Sequence, residues 1–246
     1  DINGDKAIGP GNGPAEVNPA LGLRGIRYCL QRPDVFRTQL RAILRAAVHG
    51  NVRIMFPMVS TVSEVIMSKR ILNEVAESLD KDGFAFNSDI KIGVLVEVPS
   101  AVIMADKIAD EVDFFSVGTN DLIQYALAID RGNQQVSHLF RPLDPAVLRL
   151  LRQITNVANE KEVKVFICGE MAGYAIHAPI LLGLGMDGFS MNPQSIPTVK
   201  QMVRSIKMED TPLLVEEALK LASAEKVFEL LRETYGGILS EIDRTE

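Results

Sequence analysis

Apolar residues arrive in short unbroken runs, separated by longer amphipathic stretches. Arg53–Met58 (RIMFPM), Lys91–Glu97 (KIGVLVE), Val112–Val117 (VDFFSV) and Val163–Cys168 (VKVFIC) have strand length, and Gly188–Met191 is a shorter fifth. None alternates strictly between apolar and polar positions, so each predicts a parallel strand covered on both faces. Between them the spacing turns helical. Pro33 suits a first helical position and Gly50 a stop. Thr61 and Glu64 have capping-box spacing ahead of an amphipathic helix running to about Asp82. Further helices are predicted from Pro99 to Asp110, from Asp121 over a short stretch, from Pro145 behind an Asp144 N-cap, and from Glu209 to about Tyr235. Residues 1–22 read as a loop-rich segment, dense in Gly, Pro and Asn, with room for a strand stub at 1–4. Residues 236–246 read as a flexible tail.

Repeated strand-then-helix order predicts an α/β fold, either a doubly wound open sheet or a (β/α) barrel. Five whole strands are in view. A closed eight-stranded TIM-type barrel therefore requires its first two to three strands ahead of Asp1. At 246 residues the chain is expected to be one such domain, truncated at its N-terminus.

Composition narrows the function classes. The net charge is −6, with both signs spread along the chain, which argues against a nucleic-acid or anionic-membrane binder. No apolar run reaches bilayer-spanning length and no signal peptide is visible. Two cysteines, Cys29 and Cys168, make no disulfide framework in a chain of this size, so a reducing cytoplasm is the expected compartment.

Candidate chemistry sits where the apolar runs end. Glu97 closes one run, Asn120 and Asp121 follow the next, and Cys168-Gly169-Glu170 closes a third. In parallel α/β proteins ligands lie beyond the carboxyl ends of the strands. Strands stand about 4.8 Å apart, so carboxylates at adjacent ends can share one cation. Oxygen donors with open positions suit Mg²⁺ better than Zn²⁺. Each residue also has a plainer reading. Glu97, Asn120 and Asp121 are good helix caps, and Cys168 is an ordinary small core residue. Arg131, in Asp130-Arg131-Gly132-Asn133, either grips an anion with its planar fork or is a solvated surface arginine. The same choice holds for Arg24 and Arg27 behind the Gly/Pro loop. His49, His138 and His177 have no triad partner at recognisable spacing.

Several segments carry a resemblance. NPALGLRGIR (18–27), QLRAILRAA (39–47), RIMFPMV (53–59), IGVLVEVPSA (92–101), VDFFSVGTNDLIQYALAIDRGN (112–133), CGEMAG (168–173) and FSMNPQSIP (189–197) resemble, in order, the C-terminal domain of enzyme I of the bacterial sugar phosphotransferase system. Pyruvate phosphate dikinase and phosphoenolpyruvate synthase share some of these motifs. The resemblance implies a (β/α)₈ barrel binding phosphoenolpyruvate and Mg²⁺, with Glu97 and Asp121 as metal ligands. It further implies Arg24, Asn120 and Arg131 on the substrate's phosphate and carboxylate, and Cys168 as the group that protonates the enolate as pyruvate forms. The expected partners are an N-terminal phosphohistidine domain, a phosphocarrier protein and a second copy in a homodimer. The alternatives are a dikinase- or synthase-type domain and a non-catalytic dimerisation module. Asn3 stands where the family usually has Gly, and Leu23 where it often has Trp. Two substrate-binding arginines of the family fall before Asp1, so the chain alone is not expected to complete phosphotransfer.

Overall fold

A computed structural model describes residues 18–242. The loop-rich segment ahead of Asn18, with its strand stub, lies outside the described residues. Five strands form one sheet: β1 (Arg53–Phe56), β2 (Lys91–Val96), β3 (Phe114–Gly118), β4 (Lys164–Cys168) and β5 (Gly188–Phe189). Every neighbouring pair is parallel and the spatial order is 1-2-3-4-5. A doubly wound sheet reverses its strand order at a switch point. This one does not, which is consistent with part of a TIM-type barrel.

The connections are helical. They comprise α1 (Gly25–Gln31), α2 (Pro33–Ala46), α3 (Val62–Lys81), α4 (Pro99–Ile103), α5 (Ala105–Ala109), α6 (Thr119–Leu127), α7 (Pro145–Glu160), α8 (Ala178–Gly183), α9 (Ile196–Ser205), α10 (Thr211–Ala218) and α11 (Ala224–Ile242). Thr61 and Glu64 close the predicted capping box on α3, and Asp144 caps α7 through the N–H of Ala146 at 2.8 Å. Three expectations change. The Pro99–Asp110 helix divides at Met104, whose ψ of 16° leaves the helical range. The single helix from Glu209 is a 3-10 turn followed by α10 and α11. The helix expected to end near Tyr235 runs on to Ile242, because Ile238 and Leu239 carry the apolar face of α11 past Gly236-Gly237 and pack on the core.

Strand register sorts the sheet into two faces. Positions in register share a face and alternate along each strand. On one face Ile54, Phe56, Val94, Val96, Phe115, Val117, Val165 and Ile167 are buried under helices. Each contributes roughly 1.5–3 kcal/mol by leaving water. The other face carries Arg53, Met55, Gly93, Leu95, Phe114, Ser116, Phe166 and Cys168. Phe114 and Phe166 meet edge to face at 6.0 Å, and the Arg53 guanidinium lies over both rings at 5.8 and 5.9 Å. Gly93 makes room for them, since a Cβ there would fall 2.4 Å from the Phe114 ring.

Candidate active site

The predicted site residues gather where this second face reaches the carboxyl ends of the strands. Val96 pairs with Val117 and Gly118 with Cys168, so Glu97, Gly118 and Cys168 form one row across β2, β3 and β4. Gly118 leaves space for its neighbour, because a Cβ there would sit 2.7 Å from Glu97 Oε2.

Glu97 is 2% exposed, and its Oε1 accepts the backbone N–H of Met58 at 2.7 Å. Met58 presents that N–H from a left-handed backbone (φ 58°), a conformation costly for a side chain of this size. Gly25, itself at φ 55°, closes over it, and a Cβ on Gly25 would meet the Met58 Cβ at 2.7 Å. Burial pushes the Glu97 carboxyl up to about 7 against the pull of the Met58 N–H. The negative charge of Asp121 raises it further, and Arg24 partly offsets this.

Asp121 reaches the same place from the first turn of α6. This helix begins at Thr119, directly behind β3 and two residues before the predicted start, so Asn120 and Asp121 lie inside it. A carboxylate there is favoured by the helix dipole. Arg24 (3% exposed) grips Asp121 (8% exposed) with both arms, Nη2 to Oδ2 at 3.0 Å and Nη1 to Oδ1 at 3.4 Å. Nη1 also donates to the Tyr125 hydroxyl at 3.2 Å, and that hydroxyl donates to the Ala20 carbonyl. Burial works against the Arg24 charge, but the bond to Asp121 holds its pKa above the ordinary value.

Cys168 completes the row. Its Sγ takes the Ser116 hydroxyl at 3.6 Å and donates to the Val117 carbonyl at 3.3 Å. Burial pushes the thiol up; the Ser116 bond opposes this, while Glu97 and Asp121 add to it. Raised in this way, the thiol keeps its proton at neutral pH. Asn120 Oδ1 accepts the N–H of Glu170 at 3.1 Å, tying α6 to the turn after Cys168.

Of the six predicted site residues, Glu97, Asp121, Arg24, Asn120 and Cys168 are brought to this rim. Arg131 is exposed on the loop after α6, its backbone N–H held by Gln124 Oε1 at 3.1 Å. Arg27 is not turned to the site: it bonds the carbonyls of Leu21 (2.8 Å) and Gly22 (3.4 Å) and Ser60 Oγ (3.3 Å), stapling the turn before Arg24. Sequence reasoning passed over Met58, Tyr125, Ser116 and Gly118. Tyr125 could have been found, since it lies four residues beyond Asp121 on one helix face. Nothing in the sequence marks Met58. Two clefts flank the cluster. One of about 490 Å³ is lined by Asn120, Glu170, Tyr174 and His177; another of about 530 Å³ by Arg27, Met58, Gln124 and Tyr125. Among the described residues no three His, Cys, Asp or Glu side chains form a metal cluster; the acids that meet at this rim are the pair Glu97 and Asp121.

Comparison with known proteins adds independent findings. A family model described as "PEP-utilising enzyme, PEP-binding domain" matches residues 1–208. A phosphoenolpyruvate-protein phosphotransferase of Priestia megaterium is 48% identical over 96% of this chain and 41% of its own length. The Bacillus subtilis (strain 168) protein of that name is 47% identical over the same shares. That of Staphylococcus carnosus (strain TM300) is 46% identical over 95% of this chain. The chain thus spans about two fifths of these relatives. Among solved structures, a citrate lyase from Burkholderia xenovorans LB400 superposes with a TM-score of 0.51 at 18% identity, over 82% of this chain and 69% of that one, a likeness of fold.

Proposed function

Because the chain belongs to the PEP-binding-domain family of PEP-utilising enzymes, we propose that it is the phosphoenolpyruvate-handling part of an enzyme I-type phosphotransferase. In this reading the fold closes into an eight-stranded barrel with three further strands ahead of β1. The phosphoryl group passes to a histidine on a separate domain and then to a phosphocarrier protein, in a cytoplasmic homodimer that releases pyruvate.

The residues divide the work by charge. Arg24, Asn120 and Arg131 bind the phosphate and carboxylate of the substrate, where guanidinium forks fit both groups. Glu97 and Asp121 would hold Mg²⁺. Their fit is supported by two buried carboxyls facing each other, one of which burial and its acidic neighbour hold protonated to about pH 7, an arrangement that a hard divalent cation would relieve. The ion, when bound, neutralises charge developing on the transferring group. Arg24 and Asp121 neutralise one another without ligand, and on substrate binding each takes its own partner.

Attack of the histidine nitrogen on phosphorus forms the N–P bond and breaks the bond from phosphorus to the enol oxygen, leaving the enolate of pyruvate. Cys168 gives its proton to the terminal carbon of that enolate, and solvent reprotonates the thiolate. The observation that carries the reading is the row Glu97–Gly118–Cys168, a protonated thiol and an acid pair at one strand-end rim.

Proton delivery can be read without phosphotransfer, from exchange of the pyruvate methyl hydrogens in D₂O with Mg²⁺ present. Cys168→Ala should slow that exchange at least a hundredfold while leaving pyruvate affinity intact. Exchange at the wild-type rate removes Cys168 from the mechanism.

A further inference from the structure

We infer that Ser116 is a positioning residue for proton transfer at Cys168: its buried hydroxyl orients the sulfur and stabilises the thiolate that remains once the proton has left. The inference rests on the reading of Cys168 as the proton donor.

Every residue of β3 is buried, and Ser116 is the one hydroxyl among Phe114, Phe115, Val117 and Gly118. Alanine would fill a position on this strand without a polar group to satisfy, whereas a buried hydroxyl is costly unless hydrogen-bonded. Ser116 directs its donation to Cys168 Sγ at 3.6 Å. A neutral thiol is a weak acceptor, so this bond returns little in the resting state. A thiolate is a strong one. The bond therefore gains strength as Cys168 loses its proton, which is the differential stabilisation that accelerates a step rather than merely tightening binding.

The charges around the sulfur make such help useful. Glu97, directly after β2, and Asp121 from α6 both disfavour a negative sulfur. Ser116 opposes them from below, within the same strand whose Val117 carbonyl accepts the thiol proton at 3.3 Å. The sulfur is thus held between consecutive residues of β3, one donating to it and one accepting from it. During turnover the thiol releases the Val117 carbonyl, gives its proton to the enolate carbon and keeps the Ser116 bond. Solvent then restores the proton.

The test compares pyruvate methyl exchange in D₂O for wild type, Ser116→Ala, Ser116→Thr and Cys168→Ala, with Mg²⁺ and over a range of pyruvate concentrations. A hydrogen bond to a charged acceptor is worth roughly ten- to a hundredfold in rate. Ser116→Ala should lose that factor at saturating pyruvate with an unchanged half-saturation point. Ser116→Thr, which keeps the hydroxyl, should recover most of the rate. Wild-type exchange in Ser116→Ala overturns the inference, and so does a Ser116→Thr as slow as Ser116→Ala, which would make the effect one of packing. If Cys168→Ala still exchanges, the reading of Cys168 itself fails. If Cys168→Ala is silent while Ser116→Ala is normal, only the role of Ser116 is lost.

Discussion

The two faces of one sheet have been put to opposite uses. The helix-covered face, from Phe56 through Val94 and Phe115 to Val165, is aliphatic and aromatic throughout and almost wholly buried. The opposite face mixes glycine, aromatic and polar positions with Met55 and Leu95 and ends in Glu97, Gly118 and Cys168. The first face supplies stability through area removed from water. The second gives some of that up: a buried carboxyl that holds its proton to about pH 7, a Met58 backbone in the left-handed region and a buried hydroxyl bonded to a thiol. The lesson is that the buried acid pair, the left-handed Met58 and the hydroxyl–thiol bond share one rim, and the aliphatic layer beneath tolerates them.

Substitutions on each face can break or sharpen that contrast. The largest expected effect is on the helix-covered face. Phe115→Ala removes a fully buried ring and should cost about 3–5 kcal/mol in chemical denaturation. A loss under about 1 kcal/mol would mean that this face is not the stabilising one. The opposite rim should respond with the reverse sign and more weakly. The Glu97 carboxyl binds its proton more tightly folded than unfolded. Without metal, then, its contribution to stability is full below about pH 4.5, falls as the pH climbs and is lost above about 7. Glu97→Gln keeps an oxygen for the Met58 N–H and removes the charge. In EDTA it should be more stable than wild type at pH 8 and equal to it at pH 4. Thermal melts across that range check this, and a Glu97→Gln that is less stable at pH 8 contradicts it.

Much of the helix-covered face was legible in the sequence, because continuous apolar runs announce strands buried by helices. The site was legible where chemistry interrupts such a run: Glu97, Asp121 and Cys168 stand out as polar ends of apolar strands. What escaped depends on contacts between distant parts of the chain. Arg24 was marked as a site residue, but its pairing with Asp121 spans 97 residues, and no local pattern encodes that the two side chains grip each other. Met58 looks like one more apolar residue, since side-chain identity does not report a left-handed backbone. Ser116 reads as a polar interruption of a strand until the register sets it beside Cys168. Helix ends were misjudged for a related reason. Gly236-Gly237 is a stop by propensity, yet packing of Ile238 and Leu239 carries α11 through it.

The central claim is that the acid pair at this rim holds the cation with which phosphoenolpyruvate binds. Isothermal titration of phosphoenolpyruvate into wild type and Asp121→Ala, each with and without Mg²⁺, tests it directly. Binding that requires Mg²⁺ in wild type and is lost at least tenfold in Asp121→Ala is the predicted result. Equal affinity in all four titrations would contradict the account.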